Sequence, residues 1–415
     1  MTPPFPPLPL PEGITESYLP SHDLNYHLLS AGSSKKPLLL LLHGFPELAF
    51  SWRKIMTTLA EEGYYVVAYD QRGYGRTTNW DTRPFATVDL TTFSFTRLVR
   101  DALILVSALG YTQVACVIGH DFGAVAASMC ALMRPDVFRS YVLLHSTCCL
   151  DWHGPRDDRW FTIESVITMS HPFKGSPSLP FDTVSNPITT TPSEDIHQAL
   201  AELPEPRKHY KWYYSSQQAA PDLSHPPENL HDFLRGYFHL KSASWSGNTP
   251  FPLSSWTAPE LAKLPYYYVM PLSSGMRDSV ALFMANSEPD PAPSSSWLLD
   301  ADLSVYAAEW SRTGFQGGLN WYRVGTSPAL TCDVEVFAGR KITVPALFVA
   351  GAKDWGMHQE PGVLEKMKNA YSEGMFRGVR VVESAGHWVQ QEQPGRVAEL
   401  VLGFLGEVKD QGISF

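Results

Sequence analysis

The sequence lacks long apolar runs. Its most apolar stretches, residues 38–42 and 124–133, fall far short of the roughly 18 consecutive apolar residues that a membrane-spanning helix needs. The first residues, MTPPFPPLPLPEG, have neither the basic start nor the continuous apolar core of a secretion signal, and their alternating prolines favour an extended arm. We therefore expect a cytoplasmic protein with no membrane span.

Cysteine and positive charge are also scarce. The five cysteines are an odd number, and the sequence contains no CxxC pair and no His/Cys spacing suited to zinc. We therefore expect reduced, mostly buried thiols and no metal site. Acidic residues (42) outnumber basic ones (32), and no Lys/Arg-rich run interrupts this acidity. Because nucleic-acid binding depends on clustered positive charge, nucleic acid is excluded as a partner.

What the sequence does contain is a series of short apolar segments separated by helical patterns. Strands that are apolar throughout are typical of a parallel sheet buried on both faces, and we predict an α/β fold with helices on both faces of a mostly parallel sheet. The predicted strands are 38–42, 64–69, 114–118, 141–144, 344–350 and 379–382. Apolar residues at helical spacing predict helices at 93–109 and 394–408.

The strand pattern stops after residue 144 and resumes only at residue 344. The intervening sequence is rich in Pro, Ser, Trp and Tyr and carries helical fragments. We interpret it as a large, mainly helical lid with Pro/Ser-rich loops at 171–193 and 285–297. The predicted domains are the first part of the core at 1–150, the lid at 151–335 and the second part of the core at 336–415.

One short motif, GHDFG at 119–123, marks the strongest candidate for a nucleophile. Small residues flank the apex of a sharp strand-to-helix turn because the chain doubles back there, and the apex side chain is thrust outward. The apex is serine in serine hydrolases that use this turn, and here it is Asp121. Asp354 and His387 each follow a predicted strand. The chain order of nucleophile, acid and histidine is that of the α/β-hydrolase fold.

The oxyanion site is predicted from main-chain positions. The segment HGFPE at 43–47 follows the first predicted core strand, where this fold places one N–H donor, and the residue after the nucleophile supplies the other. These donors are the N–H groups of Phe45 and Phe122. We expect His43 and the turn DQRGYGR at 70–76 to have structural roles.

Together these motifs resemble the soluble epoxide hydrolase branch of the α/β-hydrolase family. The matching segments are HGFPE (43–47), DQRGYG (70–75), GHDFGA (119–124), GAKDW (351–355) and AGHW (385–388). The lid segment TGFQGGLNWYR (313–323) is similar to the family segment whose tyrosine grips the epoxide oxygen, which maps that role onto Tyr322. The segment HYKWYY (209–214) is similar to the one that carries a second tyrosine; Tyr210 aligns best, with Tyr213 and Tyr214 as alternatives.

The resemblance implies an epoxide hydrolase that needs no cofactor. Asp121 would form an alkyl ester with the substrate, and water activated by His387 and Asp354 would hydrolyse it to a vicinal diol. The lid tyrosines Tyr322 and Tyr210 would protonate the epoxide oxygen. For substrate we expect a small, largely apolar epoxide, and the chain could form a homodimer. The expected substrate-binding residues are Trp355, Trp388, Tyr213 and Tyr214.

Three other functions are weighed against this one. A haloalkane or haloacid dehalogenase shares the Asp nucleophile, but it often places Trp or Arg next in sequence to hold the halide, where this chain has Phe122. A serine esterase or lactonase needs Ser in place of Asp121. The long lid would also fit a hydrolase-fold protein that binds a ligand or steers a rearrangement without hydrolysis. The lid insertions depart from the family, so the family's pocket shape and substrate do not carry over to this chain.

Overall fold

The structure is a computed structural model that describes residues 5–144, 195–287 and 293–413. Its strands are β1 Ile14–Ser21, β2 Leu24–Ala31, β3 Leu38–Leu42, β4 Tyr65–Tyr69, β5 Cys116–His120, β6 Tyr141–Leu144, β7 Arg207–His209, β8 Val269–Pro271, β9 Ala346–Gly351 and β10 Phe376–Val382. Its α-helices are α1 Arg53–Glu61, α2 Phe95–Ala108, α3 Phe122–Met133, α4 Ile196–Ala201, α5 Tyr210–Tyr214, α6 Ala219–Ser224, α7 Leu230–Leu240, α8 Ala258–Leu261, α9 Met276–Ser287, α10 Asp300–Thr313, α11 Gln316–Gly325, α12 Pro328–Thr331, α13 Val363–Asn369, α14 Val389–Glu392 and α15 Pro394–Asp410.

Eight strands form one sheet in the order β1-β2-β4-β3-β5-β6-β9-β10. The six strands from β4 to β10 in this order are parallel to one another. Strands β1 and β2 pair antiparallel, and β2 is also antiparallel to β4. The predicted α/β fold with a mostly parallel sheet is therefore confirmed. The antiparallel hairpin of β1 and β2 at one edge was not predicted.

Alternate residues of each central strand pack on opposite faces of the sheet. In β3, Leu38, Leu40 and Leu42 belong to one hydrophobic cluster with α2 and α3. Leu39 and Leu41 belong to a second cluster with α1 and α15. Because successive side chains of a strand point to opposite faces, a strand with a helical layer on each side has to be apolar at every position.

The described lid residues, 195–287 and 293–335, are mostly helical, and β7 and β8 add one antiparallel pair. The lid is tied to the core by buried indole groups. Nε1 of Trp310 donates to the carbonyl oxygen of Pro46 over 2.8 Å, and Nε1 of Trp321 donates to that of Arg72 over 2.9 Å. Helix α11 also meets the core at main-chain distance, because a Cβ on Gly73 would lie 2.6 Å from the carbonyl oxygen of Gly317.

Other expectations about the chain can be compared with the described residues. Among these residues, no helix combines the length and apolarity needed to cross a bilayer. Cys116 and Cys130 are buried free thiols, whereas Cys332 is exposed. Cys148, Cys149 and the predicted loop at 171–193 lie outside the described residues.

Candidate active site

Asp121 lies at the turn between β5 and α3. Its φ of +52° is a left-handed conformation that residues other than glycine rarely adopt. A Cβ atom at Gly119 would lie 2.1 Å from the carbonyl oxygen of Gly123, and one at Gly123 would lie 2.0 Å from that of Leu42. Both glycines are therefore required sterically, and the turn presents the Asp121 carboxylate toward the lid tyrosines described below.

The segment after β3 supplies a donor to this carboxylate. The main-chain N–H of Phe45 donates to Oδ1 of Asp121 over 3.1 Å. Gly44 makes this approach feasible, since a Cβ there would lie 2.4 Å from Cβ of Asp121. Phe122 is the first residue of α3, a position at which main-chain N–H groups point out of the helix. The two predicted oxyanion donors therefore belong to segments that meet at Asp121.

His387 lies between the two predicted acidic members of the triad. Its Nε2 is 3.6 Å from Oδ2 of Asp121, and its Nδ1 is 3.6 Å from Oδ1 of Asp354. His387 and Asp354 are both 1% exposed. The same Oδ1 of Asp354 accepts the N–H of Gly356 over 2.9 Å, which fixes the carboxylate at the end of β9. The three residues, distant in sequence, are thus brought together with one ring nitrogen facing each carboxylate.

A buried pair behind Asp121 holds the His387 loop. Nε2 of His120 lies 2.8 Å from the carbonyl oxygen of His387, and Nδ1 of His120 lies 2.5 Å from Oε2 of Glu47. Burial would lower the pKa of His120, but the Glu47 carboxylate raises it overall. Because a carbonyl oxygen can only accept, Nε2 of His120 carries a proton. Glu47 also accepts from the side-chain amides of Gln390 and Gln391.

Glu392 secures the same loop from the other side. Its carboxylate accepts the main-chain N–H groups of Gly386 and Trp388, each over 3.0 Å, and that of Ala243 over 2.8 Å. Burial raises the pKa of Glu392 to about 7, against the opposing effect of these three hydrogen bonds. The carboxylate therefore connects the His387 loop to lid residue Ala243.

Tyr322 and Tyr210 lie together in the aromatic cluster next to Asp121. The ring of Tyr322 lies 4.9 Å from that of Phe122 and 5.7 Å from that of Phe45, centroid to centroid. The Tyr210 ring lies 6.1 Å from the Tyr322 ring. Burial, and next the charge of Asp121, raise the pKa of Tyr322 well above its usual range. The Tyr322 phenol is therefore protonated at neutral pH.

The two alternative tyrosines have other hydrogen-bond partners. The Tyr213 hydroxyl donates to Oδ2 of Asp222 over 2.8 Å. The Tyr214 hydroxyl donates to the Tyr237 hydroxyl over 3.4 Å, and its ring lies 5.0 Å from that of Tyr322. Of the three candidates for the second lid acid, the Tyr213 hydroxyl is thus directed to Asp222, whereas the rings of Tyr210 and Tyr214 both lie next to that of Tyr322.

The two predicted tryptophans of the pocket occupy different surroundings. Trp388 is fully buried, its ring lies 4.4 Å from that of His387, and its Nε1 donates to the carbonyl oxygen of Phe238. Trp355 is 4% exposed, and its ring lies 5.0 Å from that of Phe251. The structure therefore places Trp388 behind the histidine and Trp355 against a lid residue.

The sequence reasoning assigned no role to Glu47, His120 or Glu392. Each is an ionisable residue inside or close to one of the quoted motifs, and only that proximity could have indicated a role in the site. Their contacts could not be read from the sequence, because the partners are main-chain groups brought together by the fold. Within the described part of the chain, no group of three or more His, Cys, Asp or Glu side chains could hold a metal ion.

Comparisons with known proteins agree with this architecture. Residues 37–166 match the family model described as alpha/beta hydrolase fold. The chain is 29% identical to epoxide hydrolase B of Mycobacterium tuberculosis over 90% of this chain and 92% of that protein. It is also 29% identical to epoxide hydrolase A of the same organism, over 94% and 97%.

Solved structures give the same picture. An epoxide hydrolase from an endophytic Streptomyces superposes with a TM-score of 0.69 at 25% identity, covering 96% of this chain and 97% of that one. Potato (Solanum tuberosum) epoxide hydrolase I superposes with a TM-score of 0.65 at 26% identity, covering 95% and 99%. The similarity therefore extends over core and lid alike.

Proposed function

We propose that this chain, an α/β hydrolase of the epoxide-hydrolase type, opens a small, largely apolar epoxide to a vicinal diol through an alkyl ester on Asp121. The observation that carries the proposal is the environment of one carboxylate. Oδ1 of Asp121 accepts the Phe45 N–H, Oδ2 faces His387 at 3.6 Å, and the Tyr322 ring packs on Phe122, the next residue. These contacts support a mechanism in which a nucleophile, a base and an acid act within one small volume.

In the first step of this mechanism, Oδ2 of Asp121 attacks a ring carbon of the epoxide. The carbon–oxygen bond of the ring breaks, and its electron pair moves onto the ring oxygen. Tyr322 and Tyr210 donate hydrogen bonds to that oxygen, and one of them transfers its proton as negative charge develops. The products are an alkyl ester on Asp121, a neutral alcohol and a tyrosinate.

In the second step, His387 removes a proton from water, and the resulting hydroxide attacks the carbonyl carbon of the ester. The Phe45 and Phe122 N–H groups stabilise the oxyanion, and Asp354 stabilises the imidazolium. The ester carbon–oxygen bond then breaks, and the imidazolium proton passes to the departing alkoxide. The new carboxylic acid returns its proton to the tyrosinate, which regenerates Asp121 and releases the diol. No step calls for a cofactor or a metal.

The domain division belongs to the same proposal. Residues 1–150 and 336–415 would form the catalytic core, and residues 151–335 the lid. The core would supply the triad and the oxyanion donors, while the lid would supply the acid. Substrate binding between the two would exclude water from the ring-opening step.

The test is turnover by the purified full chain. Styrene oxide is incubated with the wild type, Asp121→Ala and the control Asp136→Ala, whose exposed side chain pairs with Arg134, and diol is measured by chromatography. We expect diol from the wild type and the control and none above background from Asp121→Ala. A parallel incubation with 1-chlorobutane should release no chloride. Chloride release without diol would favour the dehalogenase, and binding of epoxide without either product would favour a non-hydrolytic protein.

A further inference from the structure

A buried lysine lies beside the proposed acid and has no part in the steps above. Lys241 follows α7 and is 4% exposed. Its main chain is part of the site, because its carbonyl oxygen accepts the His387 N–H over 2.8 Å. Burying an ammonium group is unfavourable unless its charge is stabilised. The surroundings of Nζ therefore indicate what its charge does.

The Lys241 ammonium sits among five aromatic rings. It donates to the Tyr237 hydroxyl over 3.3 Å. The centroids of these rings lie between 4.7 and 6.0 Å from Nζ, a range in which the electron-rich face of an aromatic ring attracts a cation. The five rings are those of Tyr210, Tyr237, Tyr267, Tyr268 and Trp388.

Asn248 links this group of five rings to the main chain around Lys241. The Tyr267 hydroxyl donates to Oδ1 of Asn248 over 2.8 Å. The side-chain amide of Asn248 in turn donates to the carbonyl oxygens of Leu240 and Ser242, on either side of Lys241. Lys241 thus has its carbonyl group on the His387 loop and its ammonium group among the lid tyrosines, one of which is Tyr210.

We propose that Lys241 is a positioning residue that stabilises the negative charge reaching the Tyr210 phenol when the epoxide ring opens. The inference rests on the proposed function. Nζ lies 6.0 Å from the Tyr210 ring, and the Tyr210 ring lies 6.1 Å from that of Tyr322. At such distances in a partly buried site, a unit positive charge favours the ionised form of a phenol. The effect belongs to the first step, because only that step places charge on a tyrosine.

The test measures the rate constants of alkylation and of hydrolysis separately, each over a range of pH. Rapid mixing with excess styrene oxide, acid quenching and intact-mass measurement give the rate constant for alkylation, and the decay of the adduct after substrate is exhausted gives that for hydrolysis. The variants are Lys241→Met, which removes the charge, and Lys241→Arg, which keeps it. The control is Lys263→Met, in which an exposed lysine paired with Glu260 is changed.

We expect Lys241→Met to slow alkylation about tenfold and to change hydrolysis by less than about twofold, since the main-chain bond to His387 is retained. The alkaline limb of the alkylation profile should move by about one unit to higher pH. The titratable groups that face Nζ are the four tyrosines, which lie on α5, on α7 and just before β8. His387, Asp354 and Glu392 lie on neighbouring segments and are the same in every variant. Lys241→Arg should keep the limb near that of the wild type.

Equal slowing of both steps with an unmoved alkaline limb would overturn the proposal and leave Lys241 as a packing residue. Equal slowing by Lys241→Arg and Lys241→Met would overturn it as well. If Lys241→Met does not fold, Lys241→Gln, which keeps a donor for Tyr237 without the charge, is measured in the same way. A wild type that forms neither adduct nor diol would overturn the proposed function. An active wild type with an equally active Lys241→Met variant would overturn only the role of Lys241.

Discussion

The N–H of Phe45 holds Oδ1 of Asp121 at 3.1 Å. This contact distinguishes the two carboxylate oxygens, because Oδ2 faces His387. Oδ1 already occupies the proposed oxyanion position, so Oδ2 is the oxygen expected to bond to carbon. A single turnover in ¹⁸O-water should place the label in the protein and leave the first diol unlabelled. Label in that diol would contradict covalent catalysis.

The position of His387 predicts a trapped intermediate. His387→Gln removes the proposed base of the second step but leaves Asp121 and the lid tyrosines in place, so the alkyl ester should accumulate. Intact-mass measurement should show one substrate mass added. His225→Gln, at an exposed position, should turn over normally and show no adduct. An unmodified His387→Gln that demonstrably binds substrate would count against the assigned role.

The lid tyrosines should differ in their effect on the alkylation rate. Tyr322→Phe and Tyr210→Phe remove the proposed acids, and alkylation should slow by about 100-fold or more for at least Tyr322→Phe. Tyr213→Phe removes a hydroxyl already bonded to Asp222, and its alkylation rate should stay within a few-fold of the wild type. The alkylation rate constants are compared in single turnovers. A larger loss in Tyr213→Phe than in Tyr210→Phe would reassign the second acid.

Stability should fall at alkaline pH because of His27. Burial lowers its pKa, but the carboxylates of Asp70 (2.7 Å) and Glu16 (3.0 Å) outweigh this and raise it to about 9. A raised pKa means that the stabilisation is complete below the ordinary value near 6.5 and is lost as pH rises through 9. The free energy of unfolding should decline on the order of 3 kcal/mol across that window.

The measurement is urea unfolding between pH 6 and 9.5, with His27→Gln as the comparison. The variant should be less stable at pH 6 and should show a much flatter alkaline decline. Parallel curves would show that another group is responsible. On the acid side, the pKa values of Glu16 and Asp70 are lowered to about 2, so their contribution is present above the ordinary carboxyl range and is lost as pH falls toward 2.

Arg76 should be a major stabilising contact between core and lid. It bonds Glu309 of α10 and Glu16 of β1, each over 2.7 Å, and the carbonyl oxygen of Pro6 over 2.8 Å. Arg76→Ala would remove one cation from each of two largely buried carboxylates, which keep Arg312 and His27 as partners. It should lower the free energy of unfolding by about 2 kcal/mol. Arg134→Ala, which breaks an exposed pair, should lower it by less than about 1 kcal/mol. Similar losses would contradict the role of Arg76.

The sequence predicted the six parallel strands, each of which contains a short apolar run, and missed the antiparallel strands β1 and β2, which do not. The prediction 141–144 matches β6 in full, and 114–118 lies two residues before the observed Cys116–His120, since Val114 forms only an isolated bridge with Phe138. The edge strand β1, ITESYLPS, alternates between exposed and half-buried positions and therefore contains no apolar run to detect.

In the site, too, features set by neighbouring residues could be predicted, whereas contacts between distant segments could not. The turn at Asp121 depends on the glycines two residues before and after it, so it could be predicted from a five-residue motif. The contacts of Glu392 and Lys241 join segments more than a hundred residues apart, to main-chain groups of Ala243 and His387. No local pattern specifies such partners, because the main chain accepts or donates regardless of residue type. The supporting groups were therefore visible only in the fold.

The close approach of Gly73 and Gly317 has a consequence for how substrate preference can change. With no side chain between the two backbones, α11, which carries Tyr322, lies directly against the core segment of Gly73. The proposed acid should therefore keep its place near Asp121 when residues elsewhere in the lid change. A side chain at either glycine should instead push α11, and Tyr322 with it, away from the core.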